Sequence, residues 1–189
     1  MVKVLVGATG VIGRRHLKHI LDESEAGGSA SILIIFSDVD ATAPELARNY
    51  GVPHFRDIDE CADAQADGRS LAQAIILATP THTHVPQARK LLDIGIGILV
   101  EKPVAATGES GRELLATSKG NENSVILVGH HRRHNCYVRA IEKEIQEGKL
   151  GKIIAVNGVW AMRKSEEYFK VPWRQQAESG GVVRSTLQF

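Results

Sequence analysis

The sequence predicts an α/β protein: a Rossmann-type, doubly wound parallel sheet followed by an incomplete α+β second domain. Short apolar runs alternate with longer polar segments that permit helices, which is typical of βαβ units. A glycine-rich turn follows the first apolar run, and glutamate, lysine and proline follow a later one. Because ligands bind outside the carboxyl ends of the strands in such sheets, both turns are candidate site segments.

The predicted strands and helices alternate along the first two thirds of the chain. Right-handed crossovers between parallel strands then place helices on both faces of the sheet. The predicted strands are residues 2–6, 32–36, 75–78, 96–100 and 125–128. The predicted helices between them are residues 11–21, 44–50, 85–92 and 112–118. Two polar stretches, residues 22–31 and 57–69, are predicted as a loop and as a short helix with a surface loop.

Composition and charge narrow the class of protein. The chain has 189 residues, of which 43% are hydrophobic, and 23 basic against 22 acidic residues give a net charge of +1. This balance favours neither a nucleic acid nor a membrane surface as a partner. We read no secretion signal and no apolar run near the roughly 18 residues of a membrane span. We therefore expect a cytoplasmic protein.

The glycine-rich turn predicts a dinucleotide site. Backbone N–H groups of such a turn approach a pyrophosphate, and the following helix adds a favourable dipole. The spacing is G-x-x-G-x-x-G, a variant of the usual fingerprint. The turn comprises Gly7, Thr9, Gly10, Val11, Ile12 and Gly13.

An acid after the second strand is the expected partner of the ribose hydroxyls. Asp38 occupies this place, and Asp40 is the alternate. An acid there favours NAD, since the 2′-phosphate of NADP would meet a like charge. Arg14 and Arg15 leave NADP open as a second possibility.

Two further strand ends carry candidate residues. Thr79, Pro80 and Thr81 are small enough to let a flat ring lie against the backbone. His84 falls in the first turn of the next helix, where the local positive field lowers the pKa of an imidazole. Lys102, before a proline that stiffens the turn, is either a solvated loop residue or a contact for a substrate hydroxyl or carbonyl.

The segments G-A-T-G-V-I-G-R-R-H, A-T-P-T-H-T-H, E-K-P and G-H-H-R-R-H together resemble the Gfo/Idh/MocA oxidoreductase family. The resemblance implies hydride transfer between a nicotinamide and a sugar, polyol or cyclic alcohol. It implies that Lys102 contacts the reacting hydroxyl, and that a second α/β domain covers the substrate. A cationic lysine would stabilise alkoxide character, whereas a neutral one could relay the proton. The resemblance places Thr79, Pro80, His84 and His16 along the cofactor. We expect Thr81 and Glu101 to bind the cofactor as well.

The pattern changes near residue 129. Residues 1–128 are predicted as the dinucleotide-binding Rossmann domain, and residues 129–189 as the start of a substrate and oligomerisation domain. This second part holds a cationic segment, a predicted amphipathic helix at 137–147 and a predicted strand at 153–160. His130, His131, His134 and Cys136 could bind zinc, but the arginines between them would repel a cation, so we expect no metal site.

The family resemblance also leads us to expect a D-x-G-x-H-x-x-D signature with an acid–base histidine, which residues 182–189 do not contain. We therefore expect a truncated second domain and impaired catalysis. The alternative is a non-catalytic dinucleotide-binding regulator or interaction protein of the same family. A short-chain dehydrogenase is disfavoured because the sequence has no Tyr-x-x-x-Lys pair. Full-length relatives are expected to be homo-oligomers.

Overall fold

A computed structural model describes residues 2–36, 40–69, 72–120, 125–159, 161 and 163–175. Within these residues, six parallel strands form one sheet in the order β3-β2-β1-β4-β5-β6. The chain thus leaves the central pair β1 and β4 towards opposite edges, which confirms the doubly wound sheet. The strands are β1 (Val2–Gly7), β2 (Ala30–Phe36), β3 (His54–Phe55), β4 (Ala74–Leu77), β5 (Gly97–Val100) and β6 (Ile126–Val128).

Helices connect the strands and continue beyond the sheet. Short 3-10 turns cover His131–His134 and Pro172–Gln175. Over the residues that the structure describes, no helix has the length and apolar character needed to cross a membrane. The helices are α1 (Val11–Glu25), α2 (Ala43–Asn49), α3 (Ile58–Ala66), α4 (Thr81–Leu92), α5 (Gly108–Lys119), α6 (Cys136–Gln146) and α7 (Glu166–Phe169).

The sheet separates two apolar cores. Side chains alternate across a strand, so Val4 and Val6 pack with Leu17 of α1 on one face, while Leu5 packs with Leu91 of α4 on the other. Each fully buried leucine contributes about 1.5–3 kcal/mol through removal of apolar surface from water. Because helices cover both faces, the carboxyl edge of the sheet remains for binding.

Several elements differ from the prediction. Helix α4 begins at Thr81 rather than at residue 85, α5 at Gly108 rather than at residue 112, and β2 at Ala30 rather than at residue 32. The predicted loop at residues 22–31 is too long, because α1 continues to Glu25. An ion pair of Lys18 with Asp22, one helical turn apart at 2.8 Å, supports these last turns. Strand β3 was not predicted, since two residues are too short to show alternation; it pairs with Ile35 and Phe36 of β2.

The predicted strand at residues 153–160 is wrong over the part that the structure describes. Residues 153–159 are not in a strand, and Ile154, Val156 and Val159 are each at least 86% exposed. A strand needs the N–H and C=O groups of a neighbour, and no described strand pairs with this segment. The amphipathic helix predicted at 137–147 is confirmed as α6.

Candidate functional site

The glycine-rich turn lies between β1 and α1, beside the point where the strand order reverses. Gly10 is the N-cap of α1 and has no side chain to cap the first-turn N–H groups. A Cβ built on Gly10 would meet no described atom within 4 Å. Open space over uncapped N–H groups at a helix N-terminus fits a pyrophosphate.

Gly13 has a different task from Gly10. A Cβ at Gly13 would lie 1.8 Å from the carbonyl oxygen of Ala8, so the helix packs directly on the backbone of the turn. Ala8 itself adopts a positive φ of 75°. Gly7 ends β1 and is buried, whereas Val11 and Ile12 begin α1 and are exposed. Helix α1 therefore packs tightly against the turn at Gly13, whereas the turn is open at Gly10.

Asp40 connects the glycine-rich turn to the loop after β2. The hydroxyl of Thr9 donates to Asp40 Oδ2, and the N–H and hydroxyl of Thr42 donate to Oδ1 at 2.9 and 2.6 Å. Arg14 lies 3.2 Å from Oδ2 and donates to the Thr42 hydroxyl at 2.7 Å. Burial opposes ionisation of Asp40, but the hydrogen bonds from Thr42 and Thr9 outweigh it and lower the pKa to about 2. Asp40, the alternate acid for the ribose contact, thus accepts its hydrogen bonds from groups of the protein itself.

Asp38, the first candidate for the ribose contact, lies outside the described residues. Its role therefore stays a prediction.

His84 lies at the third strand end and is 1% exposed. Its Nδ1 is 2.9 Å from the carbonyl oxygen of Pro103, and its Nε2 is 2.8 Å from that of Thr79. The pKa of His84 is lowered mainly by burial, which outweighs the two carbonyl contacts. The pKa is thus shifted in the predicted direction, with burial as the largest cause. Pro80 is the N-cap of α4, and Thr81 is buried behind it.

Glu101 connects α1 to the turn that holds Lys102. Its Oε1 is 2.8 Å from Nε2 of His16, and its Oε2 accepts the Lys102 N–H at 3.2 Å. Burial raises the pKa of Glu101, but the His16 contact and the Lys102 N–H outweigh it, so the net pKa is lowered. Lys102 is half-buried, and its peptide bond to Pro103 is cis.

Gly129, directly after β6, completes the surroundings of Glu101. Its N–H donates to the Val100 carbonyl at 2.8 Å. A Cβ at Gly129 would lie 3.0 Å from Cδ and Oε1 of Glu101. The carboxylate is therefore held between α1 and the end of β6.

The structure brings the ends of β1, β4 and β5 to one edge, as the sequence predicted for the three motifs. The sequence reasoning missed Thr42 and Gly129. An Asp-x-Thr pattern after a strand could have indicated Thr42, because Asp often accepts the N–H two residues on. Nothing local indicates that Gly129 contacts Glu101. In the described part of the chain, no three His, Cys, Asp or Glu side chains are grouped to hold a metal ion.

Comparison with curated proteins finds oxidoreductases. The chain is 28% identical over 174 residues to inositol 2-dehydrogenase 1 of Saccharopolyspora erythraea, covering 89% of this chain and 48% of that protein. It is 30% identical over 150 residues to inositol 2-dehydrogenase of Rhizobium meliloti, covering 79% of this chain and 42% of that protein. The chain thus spans about half the length of these relatives.

Solved structures share the fold. The WlbA dehydrogenase from Bordetella pertussis, in complex with NADH and UDP-GlcNAcA, matches with a TM-score of 0.79 and 24% identity, over 94% of this chain and 52% of that one. Scyllo-inositol dehydrogenase from Lactobacillus casei, with bound NAD(H) and scyllo-inositol, matches with a TM-score of 0.71 and 21% identity, over 81% of this chain and 43% of that one.

A family comparison covers all six strands of the described sheet. Residues 2–130 match the oxidoreductase family with an NAD-binding Rossmann fold that is designated Gfo/Idh/MocA. The matched residues include the open turn at Gly10 and the Lys102 turn. The cofactor of this Rossmann domain is NAD. The chain therefore belongs to the Gfo/Idh/MocA oxidoreductase family.

Proposed function

We propose that this chain acts in an NAD-dependent oxidoreductase that transfers hydride between nicotinamide and a carbinol carbon of a sugar, polyol or cyclic alcohol. One observation carries the proposal: the Lys102 turn is bonded to both segments expected along the cofactor. Glu101 contacts His16 of α1, and Pro103 contacts His84 of α4. The backbone that carries Lys102 is thereby connected to the helix of the glycine-rich turn and to α4.

The residues would divide the work as follows. The first-turn N–H groups of α1 bind the pyrophosphate, and Thr79, Pro80 and Thr81 bound the space for a flat ring. Bound NAD supplies the hydride acceptor. Lys102 would donate a hydrogen bond to the reacting oxygen and stabilise its negative charge as the carbon loses hydride. The hydroxyl proton would pass to a general base, the role that the family resemblance gives to the histidine of a D-x-G-x-H-x-x-D sequence. Inositol dehydrogenases among the relatives support a polyhydroxylated substrate.

Titration of the chain with NAD by calorimetry tests the cofactor part. Gly10→Val places a branched side chain in the open space above the turn, so we expect binding to be lost with little change in thermal unfolding. Gly158→Val is the matched control, because a Cβ there also meets no described atom within 4 Å, far along the chain from the turn. Unchanged NAD binding in Gly10→Val would refute the site.

Lys102→Ala tests the catalytic part of the proposal. We expect NAD binding to persist, while hydride transfer from inositols and other polyols to NAD, followed by NADH absorbance, falls about 10²-fold or more. Lys119→Ala, an exposed lysine in the last turn of α5, should leave the rate unchanged. Equal rates for wild type and Lys102→Ala would contradict the assigned role.

The 189-residue polypeptide provides a further test. Residues 1–189 contain no D-x-G-x-H-x-x-D sequence, which the family resemblance associates with acid–base catalysis. General acid–base groups contribute about 10²–10⁴-fold, so we expect this polypeptide to bind NAD and to turn over slowly. Rapid turnover by this polypeptide would show that another group moves the proton.

A further inference from the structure

We propose that Asp40 and Arg14 together set the preference of the dinucleotide site for NAD over NADP. Asp40 pairs with the Arg14 guanidinium and so competes with the 2′-phosphate of NADP for this cation. The inference rests on the proposed function, because it concerns the same cofactor site. It differs from the expected role of Asp38, since Asp40 acts through an arginine rather than by accepting ribose hydroxyls.

The position of Arg14 is the first argument. In doubly wound sheets the adenine ribose lies at the carboxyl end of the second strand, where a nearby arginine accommodates the 2′-phosphate of NADP. Strand β2 ends at Phe36, and Asp40 and Thr42 follow it. Both contact the Arg14 guanidinium, at 3.2 and 2.7 Å. The Arg14 side chain is 44% exposed, so a ligand at this strand end can reach it.

The charge state of Asp40 is the second argument. Its carboxylate accepts hydrogen bonds from Thr9 and from two groups of Thr42, and the resulting low pKa keeps it ionised at neutral pH. The guanidinium therefore has a fixed counter-charge beside it. A 2′-phosphate, with a charge of about −1.5 to −2, would meet this carboxylate and compete with it for Arg14. The neutral 2′-hydroxyl of NAD meets no such repulsion.

The hydrogen bond from Thr9 to Asp40 is the third argument, because it links the Asp40–Arg14 pair to the cofactor site. Thr9 belongs to the glycine-rich turn and is 1% exposed. Through its hydroxyl, the Asp40 loop is fastened to the same turn whose N–H groups would bind the pyrophosphate. A change of charge at Asp40 is thus a change within the dinucleotide site.

Calorimetric affinities for NAD and NADP test the proposal with four variants of the chain. Asp40→Asn keeps an Oδ1 acceptor for the Thr42 N–H but removes the charge. We expect the NADP-to-NAD affinity ratio to rise about tenfold, the scale of one charge-assisted hydrogen bond. Asp40→Asn combined with Arg14→Ala should lose this gain. Arg112→Ala, which changes an exposed arginine on α5, should keep the wild-type ratio.

Arg14→Ala alone covers the case in which Asp40→Asn does not fold, since it changes only a partly exposed side chain. It leaves Asp40 without its counter-charge, so the NADP-to-NAD ratio should fall several-fold while NAD affinity changes little. The gain in Asp40→Asn should also shrink at high salt.

Two results would overturn the inference: an unchanged ratio in both single variants, or a gain that persists in the double variant. Absence of binding of either dinucleotide to the wild-type chain is a different result, because it would overturn the proposed function itself.

Discussion

His16 and Glu101, 85 residues apart in the chain, lie 2.8 Å apart between Nε2 and Oε1. Their contact joins the helix of the glycine-rich turn to the residue before Lys102. The carboxylate is 16% exposed, and Gly129 closes it from the side of β6. Displacement of this one carboxylate therefore affects three elements at the binding edge.

Glu101→Gln should make the protein less stable at neutral pH and less sensitive to acid. The pKa of Glu101 in the folded state is below its ordinary value of 4.5, so the folded state binds fewer protons than the unfolded state near that pH. The stabilisation is present above about pH 4.5 and is lost as the pH falls through the folded-state pKa. Loss of the charged partner should cost about 1–3 kcal/mol at neutral pH.

Urea unfolding between neutral pH and about pH 3 measures this difference. The difference in the free energy of unfolding between wild type and Glu101→Gln should become smaller as the pH falls. Glu113→Gln, on the exposed side of α5, serves as the control and should match the wild-type acid profile. A gap of constant size throughout the titration would contradict a role for the ionised carboxylate.

Gly129→Ala should be destabilising, although alanine is a small residue. The added Cβ would press on a carboxylate at 3.0 Å that His16 holds in place, so the Glu101 contact must lengthen or the end of β6 must move. We expect a loss of about 1–3 kcal/mol in the free energy of unfolding.

Gly111→Ala is the matched control for this change. Its Cβ would meet Ala105 at an ordinary 3.6 Å, within helix α5, where alanine is favoured over glycine by about 1 kcal/mol. It should therefore be neutral or stabilising. Equal effects of the two substitutions would show that Glu101 accommodates the methyl group freely.

Gly13→Ala should disrupt the fold rather than binding alone. Its Cβ would overlap a backbone carbonyl of Ala8 at 1.8 Å, and backbone cannot rotate away as a side chain can. We expect a loss of about 3 kcal/mol or more, seen as a lower thermal midpoint and weaker near-ultraviolet circular dichroism. Gly10→Ala, in open space, should keep the wild-type midpoint. A folded, unchanged Gly13→Ala protein would mean that helix α1 can separate from the turn.

The sequence predicted those features whose signals are local. The glycine-rich turn, the Thr79–Pro80 strand end and the Glu101-Lys102-Pro103 turn each combine a short apolar run with residues of distinctive chemistry. Parallel topology then brings them to one edge without further information. The fold class followed from the same alternation of strands and helices.

The pairings between these turns could not be predicted, because they depend on contacts distant in sequence. Nothing near His16 indicates Glu101, and nothing near Thr9 indicates Asp40. The strand expected at 153–160 failed for a related reason: Ile154 and Val156 have strand propensity, but a strand also needs a neighbour. Hydrogen-bond partners, unlike periodicity, are a property of the assembled fold.

His84→Leu should lower the free energy of unfolding, because it leaves a buried carbonyl group without a hydrogen-bond donor. The imidazole lies between the Thr79 and Pro103 carbonyls, and a neutral ring has one N–H, which satisfies one of them. Leucine has no donor, so we expect a cost of about 1–3 kcal/mol at about pH 7.5. His82→Ala, exposed on the same helix, should cost little.

The pH dependence of His84 gives the second readout. Burial places its folded-state pKa below the usual 6.5, so the unfolded state binds more protons near that pH. The neutral ring therefore favours the folded state above about pH 6.5, and this advantage is lost as the pH falls. Wild type should lose more stability than His84→Leu between about pH 7.5 and about pH 5.5 in urea unfolding. Parallel losses in the two proteins would show that folding does not change the pKa of His84. A smaller loss in wild type than in His84→Leu would show that the folded state holds the ring protonated, with both nitrogens donating.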